Sequence, residues 1–283
     1  MAQPRVAIVT GSNKGIGFGI VRNLCKQFDG VVYLTARDVA RGKKAVEELN
    51  KLGLKPEFHQ LDIEDPKSIA DFAEFIKNTH GGIDVLVNNA AIAYGFNAPE
   101  PLGEQAEVTL RVNFFALINV CNALFPLLRP HARVVNLSSA LGFLKMVPDE
   151  HLRNKLSNPN LTTTELTSLI KEYISKAKAG THTDAGWPNF AYSVSKVAVS
   201  ALTRIQHQEF LKDPREDIVI NHVHPGYVDT DMTNHQGPLT IEEGTYSNAY
   251  KIPQCRCSYI CSSFTAEYNF TERRLYLVYS CNS

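Results

Sequence analysis

Tyr192 and Lys196 stand four residues apart in the segment Tyr-Ser-Val-Ser-Lys. Residues at positions i and i+4 of a helix share one face, so we expect the ammonium group to lie close to the phenol. A nearby positive charge favours the phenolate and is expected to lower the pKa of the tyrosine toward neutrality. This pair therefore predicts a side chain that transfers protons, whereas an isolated pair of this kind can also be a plain surface contact.

Ser139 is a second candidate for the same chemistry. Reduction of a carbonyl by hydride transfer develops negative charge on the oxygen, which then needs a proton donor and a fixed hydrogen-bond donor. Tyr192 fits the first role. Ser139 follows an apolar run that ends at Leu137, so it should lie at the carboxyl edge of a sheet, where ligands bind. Ser139 and Tyr192 are therefore candidates for these two donor roles.

A glycine cluster near the amino terminus is the third chemical feature. Gly11, Gly15 and Gly17 follow an apolar run in the spacing G-x-x-x-G-x-G. Glycines permit a tight turn and a close approach of the backbone to a diphosphate, while a helix that begins near Ile16 supplies N–H donors. The cluster predicts a dinucleotide site, and the alternative is that the glycines only turn a strand into a helix.

The end of the second apolar run bears on the choice of cofactor. The adenosine ribose of a dinucleotide should lie there, and the position is held by Arg37, followed one turn later by Arg41. With Lys14 in the glycine cluster, these cations can bind a 2'-phosphate through charge-assisted hydrogen bonds. The sequence therefore favours NADPH (NADP+). Asp38 leaves NAD open, and the two arginines can also be solvated residues at a helix start.

Short apolar runs alternate with longer amphipathic stretches along most of the chain. This pattern predicts βα units that build one α/β domain with a doubly wound parallel sheet. The runs are nearly continuous in hydrophobicity, as expected where helices cover both faces of a sheet. The predicted strands are residues 6–9, 31–35, 58–61, 85–87, 134–137 and 218–223.

Composition narrows the class of partner. The chain has 283 residues, and its 29 basic and 29 acidic side chains cancel, which argues against a nucleic-acid surface or a polybasic membrane patch. The longest apolar stretch, residues 114–128, is interrupted by Asn119, Asn122 and Pro126, so it predicts a buried helix and not a membrane span. The amino terminus lacks the layout of a signal peptide. We therefore expect a cytoplasmic protein with a small-molecule partner.

Over residues 5–244 these features resemble the short-chain dehydrogenase/reductase superfamily, whose members have a Rossmann fold. Each motif taken alone also has an ordinary structural explanation, such as a helix cap at Asp62 or a turn at the paired asparagines. The order of the motifs makes the resemblance specific. In chain order they are residues 10–17, Asp62-Ile63, Asn88-Asn89-Ala90-Ala91, Asn113, Ser138-Ser139, residues 192–196 and Pro225-Gly226.

The resemblance implies roles for individual residues. Lys196 would hold the nicotinamide ribose, and Asn113 would complete a water-mediated proton path to that lysine. The implied catalytic residues are Asn113, Ser139, Tyr192 and Lys196. The implied cofactor-binding residues are Gly11, Asn13, Lys14, Gly15, Ile16, Gly17, Arg37, Arg41, Asp62, Ile63, Asn89, Ala90, Tyr192, Lys196, Val228 and Thr230.

A long insert separates the catalytic serine from the tyrosine. The 52 residues between Ser139 and Tyr192 are many more than ordinary members of the superfamily have, and this insert, about residues 141–187, resembles the monomeric carbonyl reductase branch. It carries a helical pattern at residues 164–178, with Thr163 or Thr164 as the expected cap. The resemblance implies that this helix covers the usual docking helix, so that the protein is a monomer.

The insert is also expected to form a wall of the substrate pocket. Trp187 would contribute to that wall beside Tyr94 and Phe96 from the loop after the fourth strand. The alternative for Trp187 is plain packing of the insert against the body. The expected substrate contacts are Ser139, Tyr94, Phe96, Trp187 and Tyr192.

The carboxyl-terminal residues depart from the family pattern. Residues 245–283 contain no glycine but hold six of the eleven tyrosines and four of the six cysteines, so we divide the chain into a reductase domain at 1–244 and a divergent tail at 245–283. Residues 274–279 can form an edge strand. Cys255, Cys257 and Cys261 lack a fourth ligand at ordinary spacing, so no metal site is predicted.

Two functions follow from this division. The first is an enzyme that reduces aldehydes, ketones and quinones with NADPH, because every residue that the chemistry needs is present. The second is a catalytically impaired form that binds nucleotide or acts in regulation, because the usual last helix and strand are replaced.

Overall fold

The computed structural model of the protein describes residues 3–95, 97–249, 265–269 and 274–278. Six parallel strands form one sheet in the order β3-β2-β1-β4-β5-β6, so the chain reverses direction across the sheet between β1 and β4. This order confirms the predicted doubly wound sheet, and it brings the carboxyl ends of β1 and β4 side by side at the switch point. The strands are β1 Val6–Val9, β2 Val31–Ala36, β3 Glu57–Gln60, β4 Ile83–Asn88, β5 Leu128–Leu137 and β6 Val219–Val223.

Helices cover both faces of the sheet. Along β1, Val6 and Ile8 face one hydrophobic cluster while Ala7 and Val9 face another, because successive side chains of a strand alternate between faces. All four are fully buried, which is why the run lacks a polar residue. The α-helices are α1 Gly15–Gln27, α2 Val39–Lys51, α3 Pro66–His80, α4 Leu102–Leu110, α5 Leu117–Leu124, α6 Glu150–Ser157, α7 Thr163–Ala179, α8 Ala191–Phe210 and α9 Ile241–Ala249.

The long apolar stretch before β5 is not one uniform helix. A π-helix at Arg111–Ala116 separates α4 from α5, and a 3-10 turn at Phe125–Leu127 containing Pro126 ends the stretch. By length and composition, Leu102–Leu127 could cross a membrane, but 56% of its most apolar window is buried inside the protein. Core helices of soluble proteins pass the same test, so this stretch is weak evidence for a membrane span.

The insert folds into two helices, α6 and α7, of which the sequence predicted the second. Its cap is Thr162, one residue before the predicted position, because Thr162 and Glu165 form a reciprocal capping box. The helix lies directly on α4: a Cβ placed on Gly103 would sit only 2.8 Å from the Cα of Lys178. Lys178 also pairs with Glu107 of α4 at 2.7 Å.

The carboxyl-terminal part differs from the expectation in two respects. Helix α9 continues across the predicted boundary at residue 244, and Thr245 is fully buried and accepts a 3.0 Å hydrogen bond from Asn23 of α1. The strand predicted at 274–279 is present as β8, Arg274–Val278, but in the described residues it pairs antiparallel with β7, Thr265–Asn269, in a separate sheet. Cys255, Cys257 and Cys261 lie outside the described residues, and the division into domain and tail stays a prediction.

Candidate active site

The four predicted catalytic residues come together at the carboxyl end of β5. Ser139 directly follows that strand, and Tyr192 and Lys196 lie in the first turns of α8. The Lys196 ammonium is 5.5 Å from the centre of the Tyr192 ring, as the i, i+4 spacing predicted. Asn113 joins them through Ser195, whose hydroxyl accepts a 3.0 Å bond from Asn113 Nδ2 and donates to the Tyr192 carbonyl at 2.7 Å.

The Tyr192 phenol is held in its protonated form. Burial raises its pKa to about 12, and a hydrogen bond with the Ser139 side chain lowers it by less. The shift is opposite to the expectation that Lys196 lowers this pKa toward neutrality, because the loss of hydration is its largest cause. Tyr192 is an acid that keeps its proton at neutral pH.

Lys196 is itself in an environment that disfavours charge. It is 3% exposed, and burial lowers its pKa to about 8. Its Nζ donates a 2.7 Å hydrogen bond to the carbonyl of Leu137, the last residue of β5. The sequence pattern found the proximity of the two groups, but it could not indicate how strongly both are desolvated.

Asn113 lies on the π-helix, and both the oxygen and the nitrogen of its side-chain amide form hydrogen bonds. Its oxygen accepts from Ile92 N at 2.9 Å, while Nδ2 donates to Ile92 O at 2.9 Å and to Ser195. A π-turn widens the helix locally, and such turns are frequent at functional sites. Here Asn113 fastens the loop after β4 to α8. Its role in a proton path stays a prediction.

The glycine cluster forms a cradle that fits a dinucleotide diphosphate. Gly11 and Gly15 both have φ +59°, and a Cβ on Gly17 would lie 2.4 Å from Asn89 Nδ2. Asn89 in turn donates to the carbonyls of Thr10 and Gly11 at 2.9 and 3.0 Å, so it braces the cradle. Helix α1 begins at Gly15 with no side-chain cap among its described contacts, which leaves the N–H groups of its first turn for an anion.

The cations predicted for a 2'-phosphate divide into two groups. Arg37 and Arg41 are exposed at the carboxyl end of β2 and the start of α2, as predicted. Asp38 caps α2 by accepting from Arg41 N at 2.8 Å, which commits this carboxylate to the helix end. Lys14 differs from the expectation, because its Nζ pairs with Asp231 in the loop after β6 at 2.6 Å.

The remaining cofactor contacts implied by the resemblance stay predictions. Asp62 accepts from Glu64 N at 3.0 Å in a local turn, and it is not the helix cap that was its alternative, because α3 is capped by Asp65. Thr230 lies across from the cradle: its Cγ2 is 3.6 Å from the position of a Cβ on Gly15. Partly buried side chains are found at Asn13, Ile16, Ile63 and Ala90, and a fully buried one at Val228.

On the substrate side, the contact of Tyr94 stays a prediction and that of Trp187 is corrected. Tyr94 is partly buried in the loop after β4, and Phe96 lies outside the described residues. Trp187 is 2% exposed and packs 5.2 Å from the Tyr173 ring of α7, so it anchors the insert and offers no face to a substrate. The packing alternative is the correct one for this residue.

Two residues were missed that offer apolar surface beside the site. Tyr227 and Met232 are 49% and 45% exposed on the loop after β6, close to Thr230. Their signal in the sequence was available: large apolar side chains one and six residues after Pro225-Gly226, in the loop that follows a strand. Exposed apolar side chains in such a loop are candidates for contact with an apolar substrate.

Comparison with known proteins gives consistent matches. The family model for short chain dehydrogenase matches residues 5–148 and 177–238, and its gap contains α6 and most of α7. The NADPH carbonyl reductase 3 of Mus musculus is 49% identical over 249 residues, 87% of this chain and 90% of that protein. The NADPH carbonyl reductase 1 of Rattus norvegicus is 46% identical over 248 residues, covering 87% and 89%. The structure of salutaridine reductase from Papaver somniferum aligns with a TM-score of 0.80 and 32% identity over 88% of this chain and 95% of that chain.

The burial of Lys196 predicts a pH dependence of stability. Its pKa is lowered to about 8 from the usual 10.5, so between these values the unfolded chain binds a proton that the folded protein has released. The free energy of unfolding should therefore rise with pH in this window, by on the order of 3 kcal/mol relative to a Lys196→Met variant. Urea unfolding of both proteins from pH 7 to 11 measures the difference. Lys51→Met, at an exposed lysine of α2, is the control and should keep the wild-type profile; an equal profile for Lys196→Met would contradict the prediction.

Proposed function

Because the chain belongs to the short chain dehydrogenase family, we propose that it is an NADPH-dependent carbonyl reductase that acts on aldehydes, ketones and quinones. The observation that carries this proposal is the meeting of Tyr192, Ser139 and Lys196 at the carboxyl edge of β5, in the same sheet as the glycine cradle. The carbonyl reductases that it resembles cover nearly the whole described body of the chain. No observation in the described residues favours the impaired alternative.

The state of Tyr192 suits the reductive direction. NADPH, when bound, supplies the hydride to the carbonyl carbon. The Tyr192 hydroxyl donates its proton to the carbonyl oxygen, and its raised pKa ensures that this proton is present at neutral pH. An alkoxide is a stronger base than a phenolate, so the transfer remains favourable. Ser139 donates a hydrogen bond to the same oxygen, so the negative charge develops on an atom to which two donors point.

After donating its proton, Tyr192 must recover one, and Lys196 and Asn113 contribute to this step. With a pKa of about 8, the Lys196 ammonium is near its point of titration at neutral pH, so it can lose and regain a proton readily. Asn113 fixes Ser195 and the loop after β4 through three hydrogen bonds, so α8 keeps Tyr192 in place. We assign Lys196 to hold the nicotinamide ribose and to reprotonate the phenolate.

We also propose that the protein is a cytoplasmic monomer without nucleic-acid or membrane partners. The covering of α4 by α7 supports the monomer, because Ala106 and Leu110 of α4 are fully buried against the insert. The balanced charge supports the absence of polyanionic partners. Light scattering should give a mass near 31.5 kDa, and a stable tetramer would contradict this proposal.

Substitution of Tyr192 tests the chemistry. Tyr192→Phe should retain NADPH binding, measured by fluorescence, but lower turnover with a quinone or ketone by roughly a hundredfold or more, because the proton donor is lost while the ring remains. Tyr173→Phe is a matched control, since the Tyr173 hydroxyl is buried without a hydrogen-bond partner and lies in the insert. Full activity of Tyr192→Phe would show that another group donates the proton.

Substitution of the two arginines tests the cofactor. The double change Arg37→Ala and Arg41→Ala should weaken NADPH binding by at least about tenfold and leave NADH nearly unchanged, because charge-assisted bonds to the 2'-phosphate are lost. Lys43→Ala with Lys44→Ala removes the same charge from exposed positions of α2 and should leave both affinities unchanged. Equal affinity of the wild type for both cofactors would refute the phosphate site.

A further inference from the structure

Four polar side chains, Lys14, Asp229, Asp231 and His235, connect the loop after β6 with the glycine cradle. Lys14 Nζ lies 2.6 Å from one oxygen of Asp231, and His235 Nε2 lies 3.4 Å from the other. The second ring nitrogen of His235, Nδ1, lies 2.7 Å from a carboxylate oxygen of Asp229. The contact with Lys14 also lowers the pKa of the Asp231 carboxyl, so this side chain is charged at neutral pH. We call this set of contacts the ionic chain after its Lys14–Asp231 ion pair, which joins residues 217 positions apart.

The ionic chain is located where the diphosphate of a dinucleotide should bind. Lys14 is the N-cap of α1 and immediately precedes the first helical residue, Gly15. Asp231 immediately follows Thr230, whose methyl group faces Gly15. The Lys14–Asp231 pair therefore bridges the two loops next to the N–H groups at the start of α1, which are the expected diphosphate donors.

The loop after β6 has a fixed shape of its own. Asp229 N donates to Leu239 O at 2.8 Å, and Leu239 N donates to Tyr227 O at 3.2 Å. Within the loop, Thr233 Oγ1 donates to Val228 O at 2.7 Å and accepts from Thr230 N at 3.1 Å. Because the loop is internally braced, a single contact at Asp231 can position it as a unit against the cradle.

We propose that Lys14 and Asp231 form a clasp across the diphosphate site, which opens for exchange of the cofactor and slows its release when closed. This inference rests on the proposed function, because it assumes that NADPH binds at the cradle. Both partners are about 60% exposed, so water and salt screen the pair. Exposed ion pairs contribute little, and we therefore expect an effect of about two- to fivefold on the release rate.

The clasp is distinguishable from the other use of Lys14, which is to bind a 2'-phosphate directly. A clasp beside the diphosphate acts on NADPH and NADH alike, since both cofactors carry that group. A contact with the 2'-phosphate acts on NADPH alone. If Asp231 only competes with that phosphate for Lys14, removal of its charge would strengthen NADPH binding and leave NADH unchanged.

The test is the dissociation rate of each cofactor from Asp231→Asn. In a stopped-flow chase that follows bound nucleotide fluorescence, the variant should release NADPH and NADH about two- to fivefold faster than the wild type, with one common factor. Asp71→Asn is the matched control. Asp71 pairs with Lys67 at the same 2.6 Å on the exposed face of α3, remote in sequence from both loops, so this variant should release both cofactors at the wild-type rate.

Two results would overturn the clasp. The first is an unchanged rate for Asp231→Asn in a protein that binds NADPH, and the second is a change confined to NADPH. Either result would leave the proposed function intact. A wild-type protein that bound neither cofactor would overturn the proposed function and the clasp together, so the two failures are distinguishable.

Discussion

The seam between β5 and α8 is the interaction on which the site depends. Asn136 of β5 donates to Thr203 and Gln206 of α8 at 2.9 and 3.1 Å, deep in the core. Ser138 and Lys196 extend the seam to the edge of the sheet, where each bonds to a backbone carbonyl of the opposite element. Buried polar groups without partners are costly, so these bonds allow one register of the helix against the strand. That register brings Tyr192 to Ser139.

The same burial determines the proton chemistry. Removal from water disfavours the charged form of both Tyr192 and Lys196, and their pKa values move apart, to about 12 and about 8. The phenol is left as a proton donor and the amine as a group that titrates near neutrality. A surface pair with the same spacing would hold both groups near their ordinary values and would offer no such division of roles.

Much of the fold could be predicted because it follows from local patterns. The bounds of β1 agree with the predicted run, and β2 extends only one residue further. The first part of β5 was not predicted, because Arg129, Pro130 and His131 do not follow a strand pattern. A register shift separates its pairing with β4, at Leu128, from the pairing that begins at Arg133. Periodicity also gave no sign of the π-turn, since the apolar residues continue through it.

The side-chain partners at the site were harder to predict than the positions. Lys14 and Arg37 looked equivalent as cations of the cofactor site, but Lys14 pairs with a residue from a distant part of the chain, and only the folded structure places Asp231 beside it. Trp187 was predicted to form a wall of the substrate pocket, but it packs against Tyr173, a residue of the same insert. The sequence does not show this contact. Sequence spacing identifies which residues share an edge of the sheet, whereas long-range packing decides which of them face the ligand.

The degree of burial also separates the fixed parts of the site from the parts that must open for release of the cofactor. The reacting groups are attached to the β5–α8 seam by buried hydrogen bonds, which break only with local unfolding. The glycine cradle and the loop after β6 are joined by the exposed Lys14–Asp231 ion pair, which is screened and opens at little cost. A reductase must align its proton donor closely and still release an oxidised cofactor in every turnover. A buried seam that aligns Tyr192 and, as we propose, an exposed clasp that opens for exchange would meet both needs.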